Sequence, residues 1–508
     1  MPHVVTQSCV GDGSCVYACP VNCIQPTPDD PAFELAEMLH VDPTTCVDCG
    51  ACTSACPVDA IKPHSELTAD ERAFELINAA YHREPRERAK LAPVRPPLTV
   101  RDREPLRVAI VGSGPAAMYA AEEVLTIPGA HVSVYERLPT PYGLVRTGVA
   151  PDHRRTRRVS RHFDLVRAHR GLTMHTGVEV GKDVTHAELL ERHHAVIYAV
   201  GAAADRRLTI PGADQAGVLS ATELVGWYNG HPDHVDRAVD LTSRRAVVIG
   251  NGNVALDVAR ILTADPDSLA DSEIAPHALR ALRRSAIEEV VVVGRRGAEH
   301  AAFTLPELVG LSATPGVALG VGAGELPAET GGDAKLELLA GLRPPAGARR
   351  RITLRFGLTP TAIAGDGAAA AVELRRTGAE PDDPGAGERL DAGLVISSIG
   401  YRGLPVAGLP YDAATGTVPN ADGRVLVPET GDAAPGTYVV GWIKRGPSGF
   451  IGTNKACSQD TVAALVDDFN AGRLASPPSP VGDAADRAAA RRRASLRRRA
   501  RRRLAALR

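Results

Sequence analysis

The stretch VAIVGSGPAAMYAAEEVL, residues 108–125, passes from a short apolar run through Gly112-Ser113-Gly114 into an alanine-rich segment. The apolar run reads as a buried strand and the segment after the glycines as a helix. In Gly112-x-Gly114-x-x-Ala117 the glycines let the backbone approach a pyrophosphate, and the helix N-terminus turns its N–H groups toward it. HVSVYE (131–136) reads as the next strand and ends in Glu136, where a carboxylate can accept from a ribose 2′-OH. Strand, glycine turn, helix and terminal acid in register predict a dinucleotide site rather than a bare turn.

A second unit follows. VVIGNGNVALDVAR (247–260) repeats the spacing as Gly250-x-Gly252-x-x-Ala255, and EVVVVGR (289–295) reads as its second strand. That strand runs into Gly294-Arg295-Arg296-Gly297. Where an NAD site would carry an acid, two arginines suit the 2′-phosphate of NADP. The spacing from Gly250 to Arg295 exceeds the usual one, so 263–288 reads as an insertion. Two nucleotide sites of different specificity predict hydride passing from NADPH to a second cofactor. A flavin at the first site suits that role, because it takes two electrons and releases them singly.

Two further strands, HAVIYAVG (194–201) and GLVISSIG (393–400), also end at glycine. Alternating strands and amphipathic helices from 105 onward predict an α/β fold with two Rossmann-like nucleotide-binding domains, preceded by a small α+β domain. The boundaries read as a cysteine-bearing domain at 1–62 and a connector at 63–104. The FAD-binding domain follows at 105–220, the NADP-binding domain at 221–400, and a return segment to the FAD domain at 401–469. Within the NADP domain, 318–390 reads as its variable part. The tail at 470–508 is basic, without apolar periodicity, and reads as disordered.

The small domain contains one segment written twice: CVGDGSCVYACPVNCI (9–24) and CVDCGACTSACPVDAI (46–61). The second copy spells C-x2-C-x2-C-x3-C-P, a run that holds cubane iron–sulfur clusters, with the cysteine before proline crossing to the other cluster. Cys46, Cys49, Cys52 and the crossing Cys19 then hold one 4Fe–4S cluster. Cys9, Cys15 and the crossing Cys56 hold the other, and Asp12 stands in its fourth slot. A carboxylate is a harder, weaker partner for iron than a thiolate. Asp12 therefore either ligates a labile 4Fe–4S cluster or leaves a 3Fe–4S cluster, the remaining alternative being a loop residue that never touches iron. Cys23 aligns with Ala60 and reads as a buried packing residue; Cys457 reads as a core thiol.

Composition adds limits. Eight of the nine cysteines lie within the first 56 residues, and their spacing suits metal rather than disulfides. Thiols kept reduced for metal predict a cytoplasmic protein. No apolar run reaches the ~18 residues of a membrane helix. The N-terminus lacks the basic and apolar regions of an export signal. Residues 1–65 carry eight carboxylates against one lysine, whereas 152–170 (DHRRTRRVSRHFDLVRAHR) is arginine-rich and reads as an amphipathic helix. Charge attraction between the two predicts docking of the small domain near the flavin. The tail from Val481 carries eleven arginines but no aromatics to stack bases, so no specific nucleic-acid partner is expected.

With these residues in view, the segment from 107 to about 465 resembles the adrenodoxin-reductase-like family of ferredoxin–NADP reductases, here with a ferredoxin fused in front. The matching stretches are TPYGLVRTGVAPDH (140–153), GNGNVALDVAR (250–260), GRRG with AAFTLPEL (294–308) and GWIKRGPSGFIGTNK (441–455). The resemblance implies FAD contacts at Gly112, Gly114, Ala116, Glu136, Leu144, Val180, Trp442, Gly449, Phe450 and Ile451. It implies NADP contacts at Gly250, Asn251, Gly252, Asn253, Val254, Arg295, Arg296, Glu307 and Gly449. His153 would be the active-site histidine near the flavin, able to tune hydride transfer by titration. Gly310 stands where the family carries a second acid, one turn beyond Glu307, so the resemblance offers His153 no partner from there. The implied activity is NADPH-dependent ferredoxin reduction, through FAD and two iron–sulfur clusters, to an external one-electron acceptor such as a ferredoxin or cytochrome system. Two rival readings are an electron-input module of a larger redox complex and a redox sensor built on the labile cluster.

Overall fold

The computed structural model describes residues 2–477 apart from 85–87, 102–103, 344, 346, 381–382 and 384. The arginine-rich tail expected to be disordered falls, from 478 on, outside the described residues.

The opening strand, Arg107–Val111, lies inside a seven-stranded sheet. Its order is Asn420–Ala421, Arg424–Leu426, Ala433–Val439, Ala195–Tyr198, Arg107–Val111, His131–Glu136, Leu172–Thr176. From Ala433–Val439 to Leu172–Thr176 all neighbours run parallel. Val108, Ala109 and Ile110 are fully buried, as a strand covered on both faces must be. The helix Pro115–Leu125 packs against the long helix Thr453–Asn470, so the C-terminal segment returns to finish the first nucleotide domain.

The second nucleotide domain is a six-stranded parallel sheet: Val218–Ser220, Leu394–Ser397, Arg245–Ile249, Glu289–Val293, Arg350–Arg355, Val317–Val321. Its central strands are apolar without alternation because both faces are covered. Ala246, Val248, Val290 and Val292 face a layer of helices. Val247, Ile249, Val291 and Val293 face the opposite way, onto Leu358, Val372 and Leu374 of a three-stranded antiparallel sheet. Two strands of the stretch 318–390 thus belong to the main sheet, the helix Ala334–Gly341 joins the helix layer through Leu336 and Leu339, and the later strands build that second cover. The segment 263–288 holds a single turn, Pro266–Leu269, and a helix, Pro276–Leu282.

In the cysteine-bearing domain the sequence repeat is a structural repeat. The helices Ser14–Ala18 and Ala51–Ala55 each start after a left-handed glycine, Gly13 (φ 73°) and Gly50 (φ 74°). Each ends on its crossing cysteine in extended backbone, Cys19 and Cys56. The strands His3–Val5 and Ile61–Pro63 pair antiparallel, as do Ile24–Gln25 and His40–Val41. The helix Ala73–Tyr81 packs onto this unit, with Phe74 in its core. Buried Asn78 accepts from Val5 and Val41 N–H groups and donates to the Val5 carbonyl, satisfying two strand edges at once.

The arginine-rich stretch forms two helices, Arg154–Arg157 and Val159–Arg167, rather than one. Arg157 turns inward, 4% exposed, and donates to the carbonyls of Val149 and Ala150. Val159, Phe163 and Val166 bury the apolar face of the second helix in the first domain.

Candidate functional site

Both glycine turns are required by close backbone approach. A Cβ on Gly112 (φ 98°) would lie 2.5 Å from the Ala199 carbonyl, and one on Gly250 (φ 111°) would overlap the Ser398 carbonyl. Each turn is thereby pinned against the neighbouring strand's end. Gly114 and Gly252 stand just before their helices, and a Cβ there would meet nothing within 4 Å. Open space ahead of two helix N-termini, Pro115–Leu125 and Asn253–Thr263, fits the pyrophosphates of two dinucleotides.

Glu136 ends its strand buried, with Oε2 accepting from Ser113 Oγ at 2.5 Å and Oε1 from the Leu138 N–H at 2.7 Å. Ser113 Oγ also accepts from the Tyr142 N–H at 3.1 Å. This ties the acid, the glycine turn and the TPYGLV segment into one wall. Ala116 is buried in the first helical turn, Leu144 begins the short helix Leu144–Thr147 and is exposed, and Val180 packs half-buried behind the sheet. The loop before the last helix is stapled in place. Trp442 Nε1 donates to the Ser448 carbonyl at 3.0 Å, and its ring lies 5.4 Å from that of Tyr401. Asn454 Nδ2 donates to the carbonyls of Phe450 and Ile451, and the Phe450 N–H donates to Thr453 Oγ1. Gly449 has φ 78°, and a Cβ there would lie 2.7 Å from Thr453 Oγ1. Cys457 is buried and accepts the Gly441 N–H at 3.3 Å, as a core thiol does.

On the second domain, Asn251 lies over Gly294, and Asn253 exchanges hydrogen bonds with Thr304 through both its amide atoms (3.2 and 2.8 Å). Val254 follows in the first helical turn, half-buried. Arg295 and Arg296 are exposed beyond the strand, and among the described residues no carboxylate pairs with either guanidinium. Two unspent cations in that position fit a 2′-phosphate. Glu307 is 7% exposed and faces the other way, toward His153.

His153 is the centre of a network. Its Nε2 lies 2.6 Å from Arg260 Nη2, 3.5 Å from Asp257 Oδ1 and 3.6 Å from Glu307 Oε1. Arg260, almost wholly buried, also bonds Asp152 (2.7 and 3.1 Å), Asp257 (2.6 Å) and Glu307 (2.9 Å). Burial pushes the Asp257 carboxyl up to about 6, against the downward pull of Arg260 and His153. The acid partners that position 310 does not supply thus come from Asp257 and Glu307. Asp257 and Arg260 escaped the sequence reading, although a charged pair on the otherwise apolar helix NVALDVARILT was a visible signal.

The cysteines gather as two sets. A cavity beside His3 is lined by Cys19, Cys46, Cys49 and Cys52, the complete ligand set, and also by Cys23. Burial pushes the Cys9, Cys15 and Cys56 thiols up, and the neighbouring Asp12 carboxylate adds to the shift of each. Burial pushes the Cys9 thiol up to about 12 and that of Cys52 to about 11. Buried thiols become thiolates readily only beside a strong cation, so these donor sets fit iron–sulfur clusters. The crossing cysteines are matched: the Cys23 N–H donates to Cys19 Sγ and the Ala60 N–H to Cys56 Sγ, each at 3.3 Å. Cys23 adds a thiol 3.4 Å from Cys19 Sγ. Their contact pulls Cys19 well below its ordinary value and pushes Cys23 well above it.

The 4Fe-4S dicluster domain matches residues 8–60, and the pyridine nucleotide-disulphide oxidoreductase model matches 106–296. A probable ferredoxin/ferredoxin–NADP reductase of Mycobacterium tuberculosis is 55% identical over 498 residues, covering 94% of this chain and 85% of the relative. The chain belongs to the ferredoxin/ferredoxin–NADP reductases. A shorter relative, the NADPH-ferredoxin reductase FprA of Mycobacterium tuberculosis, is 45% identical over 390 residues, 72% of this reductase and 84% of FprA. The solved structure of FprA in complex with NADPH superposes with a TM-score of 0.69 at 43% identity, covering 77% of this chain and 90% of that one.

The two parts of the reductase are in direct contact. Val10, Val58 and Ala60 of the ferredoxin domain are buried in the same apolar cluster as Val108 and Tyr119. The Gly452 N–H donates to the Val10 carbonyl at 2.7 Å, and a Cβ on Gly452 would overlap the Gly11–Asp12 backbone. The Asp12-side ligand set therefore abuts the loop that carries Gly449, Phe450 and Ile451. The arginine stretch contributes Arg158 to Asp59 and Arg155 to Glu71 (2.9 Å). Among the described residues no helix is long and apolar enough to cross a membrane.

Proposed function

We propose that this reductase takes hydride from NADPH and delivers single electrons through its two clusters to an external one-electron acceptor, a ferredoxin or cytochrome system. FAD, when bound, supplies the conversion of a two-electron donor into one-electron steps. Gly112, Gly114 and Glu136 would hold its dinucleotide half, and Trp442 with Gly449–Ile451 the side toward the clusters. Arg295 and Arg296 would select NADPH by its 2′-phosphate, and His153, held beside Arg260, Asp257 and Glu307, would serve the hydride step. The single observation that carries this reading is the contact of Gly452 with Val10: the loop beside the flavin site and the Asp12-side ligand set share one backbone hydrogen bond. It supports an order in which the Asp12-side cluster receives electrons first and the exposed Cys49 side passes them on. Thiols kept reduced for this purpose suit a cytoplasmic setting.

The test is anaerobic purification with iron and flavin counted per chain, followed by mixing with NADPH or NADH. Flavin bleaching followed by cluster reduction with NADPH, and far slower with NADH, is the expected result. Flavin reduction that never reaches the clusters would overturn the proposed order.

A further inference from the structure

The ferredoxin domain also reaches into the second nucleotide domain, at the helix Leu305–Ser312 that carries Glu307. The free N–H of Leu305 at the start of that helix is taken by Glu37 of the ferredoxin domain, at 2.8 Å. Val309 of the same helix is buried in the ferredoxin core. One turn beyond Glu307, Gly310 has no side chain, and a Cβ built there would overlap the amide of Gln7. That amide fills the place, and its Nε2 donates to Glu307 Oε2 at 3.4 Å. Glu307 Oε1 is held by Arg260 Nη1 at 2.9 Å, and Arg260 Nη2 touches His153 Nε2 at 2.6 Å. A continuous chain of polar contacts therefore runs from Gln7 through Glu307 and Arg260 to His153.

We propose that Gln7 is a positioning residue of the hydride site, supplied by the ferredoxin domain and acting through Glu307. The inference rests on the reading of His153, Arg260 and Glu307 as part of that site. Three carboxylates, Asp152, Asp257 and Glu307, share the single guanidinium of Arg260 in a buried place. Three carboxylates face one guanidinium and one imidazole there, so negative charge exceeds positive charge. A further acid would worsen the balance, whereas a neutral amide satisfies Glu307 Oε2 without adding charge. Removing it leaves a buried carboxylate oxygen without its donor, beside an empty space into which the carboxylate can turn. The hydride site is then complete only while the ferredoxin domain is docked.

The experiment uses the full-length, cofactor-loaded protein with Gln7→Ala, Gln7→Glu and the double variant Gln7→Ala/Gly310→Gln, which returns the amide from within the helix. Loss of one long hydrogen bond (3.4 Å), of no more than ordinary net strength, predicts flavin reduction by NADPH slowed about three- to tenfold and NADP+ binding, read by calorimetry, weakened by a similar factor. The pH profile of flavin reduction shifts, Gln7→Glu is the more impaired of the single variants, and the double variant recovers. Iron content and the dithionite-reduced cluster spectrum stay at the parent's values, showing an intact ferredoxin domain. A fully loaded Gln7→Ala protein with the parent's rate, NADP+ affinity and pH profile overturns the proposal. A parent whose flavin NADPH does not reduce overturns the functional reading itself, and the role of Gln7 with it.

Discussion

Lys455 Nζ lies 3.9 Å from Asp12 Oδ2, joining the helix after the flavin-side loop to the fourth ligand slot of the first cluster set. The same ammonium donates to Ser14 Oγ at 3.0 Å, and Ser14 donates to that Asp12 oxygen. A carboxylate occupied by a cation and a hydroxyl is a still weaker ligand for iron. We therefore expect a three-iron cluster on this side, one iron per chain fewer than two cubanes need. Asp12→Cys adds that iron and removes the paramagnetism of the oxidised three-iron form, and Lys455→Met shifts the native protein toward four-iron occupancy. Unchanged iron content in Asp12→Cys would contradict the assignment.

We expect Cys23, whose Sγ lies 3.4 Å from Cys19 Sγ, to support a cluster ligand without being one. Cys23→Ala keeps both clusters, because Ala60 fills the equivalent position in the other half. With Cys19 bound to iron, the Cys23 S–H would be the donor of that contact, and losing it would remove stabilisation of the reduced, more negative cluster. One hydrogen bond of about 1 kcal/mol corresponds to roughly 40 mV in a one-electron couple. A potentiometric titration followed by electron paramagnetic resonance should place the complete cluster lower by about that amount. Loss of this cluster in Cys23→Ala would show instead that Cys23 ligates iron.

We expect Arg295 and Arg296 to discriminate between the two nicotinamide cofactors. Each charge-assisted contact with a phosphate is worth about 1.5–3 kcal/mol, so replacing either by alanine raises KM for NADPH roughly 10- to 100-fold. KM for NADH, which lacks the phosphate, stays within about twofold. Equal losses for both nucleotides in steady-state assays would remove the arginines from the 2′-phosphate.

Asp257 links stability to pH. Burial pushes its carboxyl above the ordinary 3.8, to about 6, so the folded protein holds this proton more tightly than the unfolded chain. The linked stabilisation is complete below 3.8 and is lost as pH rises through about 6. Asp257→Asn has no such proton to lose. Relative to the parent it gains stability between about pH 5 and 8, on the order of 1 kcal/mol or more, in thermal denaturation. A constant difference across that range would contradict the shift.

The charge pairs at the domain contact matter less than the apolar seam. Arg158 and Asp59 are 38% and 56% exposed, a setting in which an ion pair contributes about 0–1 kcal/mol. Val10, Val58 and Ala60 are at most 3% exposed. Arg158→Glu should alter the salt dependence of flavin-to-cluster electron transfer by no more than about twofold, whereas Val58→Asp, which buries a charge, should separate the domains. The two variants can be compared by stopped-flow and small-angle scattering.

Short-range pattern was enough for much of this protein. Gly112, Gly114, Gly250 and Gly252 announce two nucleotide units because strand, turn and helix are local and their period is readable. The two cysteine runs are legible for the same reason: each ligand trio sits within one turn and a short helix, and the repeat exposes both Asp12 and Cys23 as departures. Arg295 and Arg296 declare themselves by standing at the end of a recognisable strand. Asp257 and Arg260 were visible as a charged pair on an apolar helix, yet no spacing tells that their partner is His153, about a hundred residues earlier. The contacts of Gln7 with Glu307 and of Lys455 with Ser14 span 300 and 441 residues. Such contacts depend on how the three domains pack, and helical or strand period carries no information about that. The sequence alone therefore determined the cofactor inventory and the fold of each part. Only the tertiary structure decided that the ferredoxin domain is wedged between the two nucleotide domains, with one edge on the flavin-side loop and the other on the helix that bears Glu307.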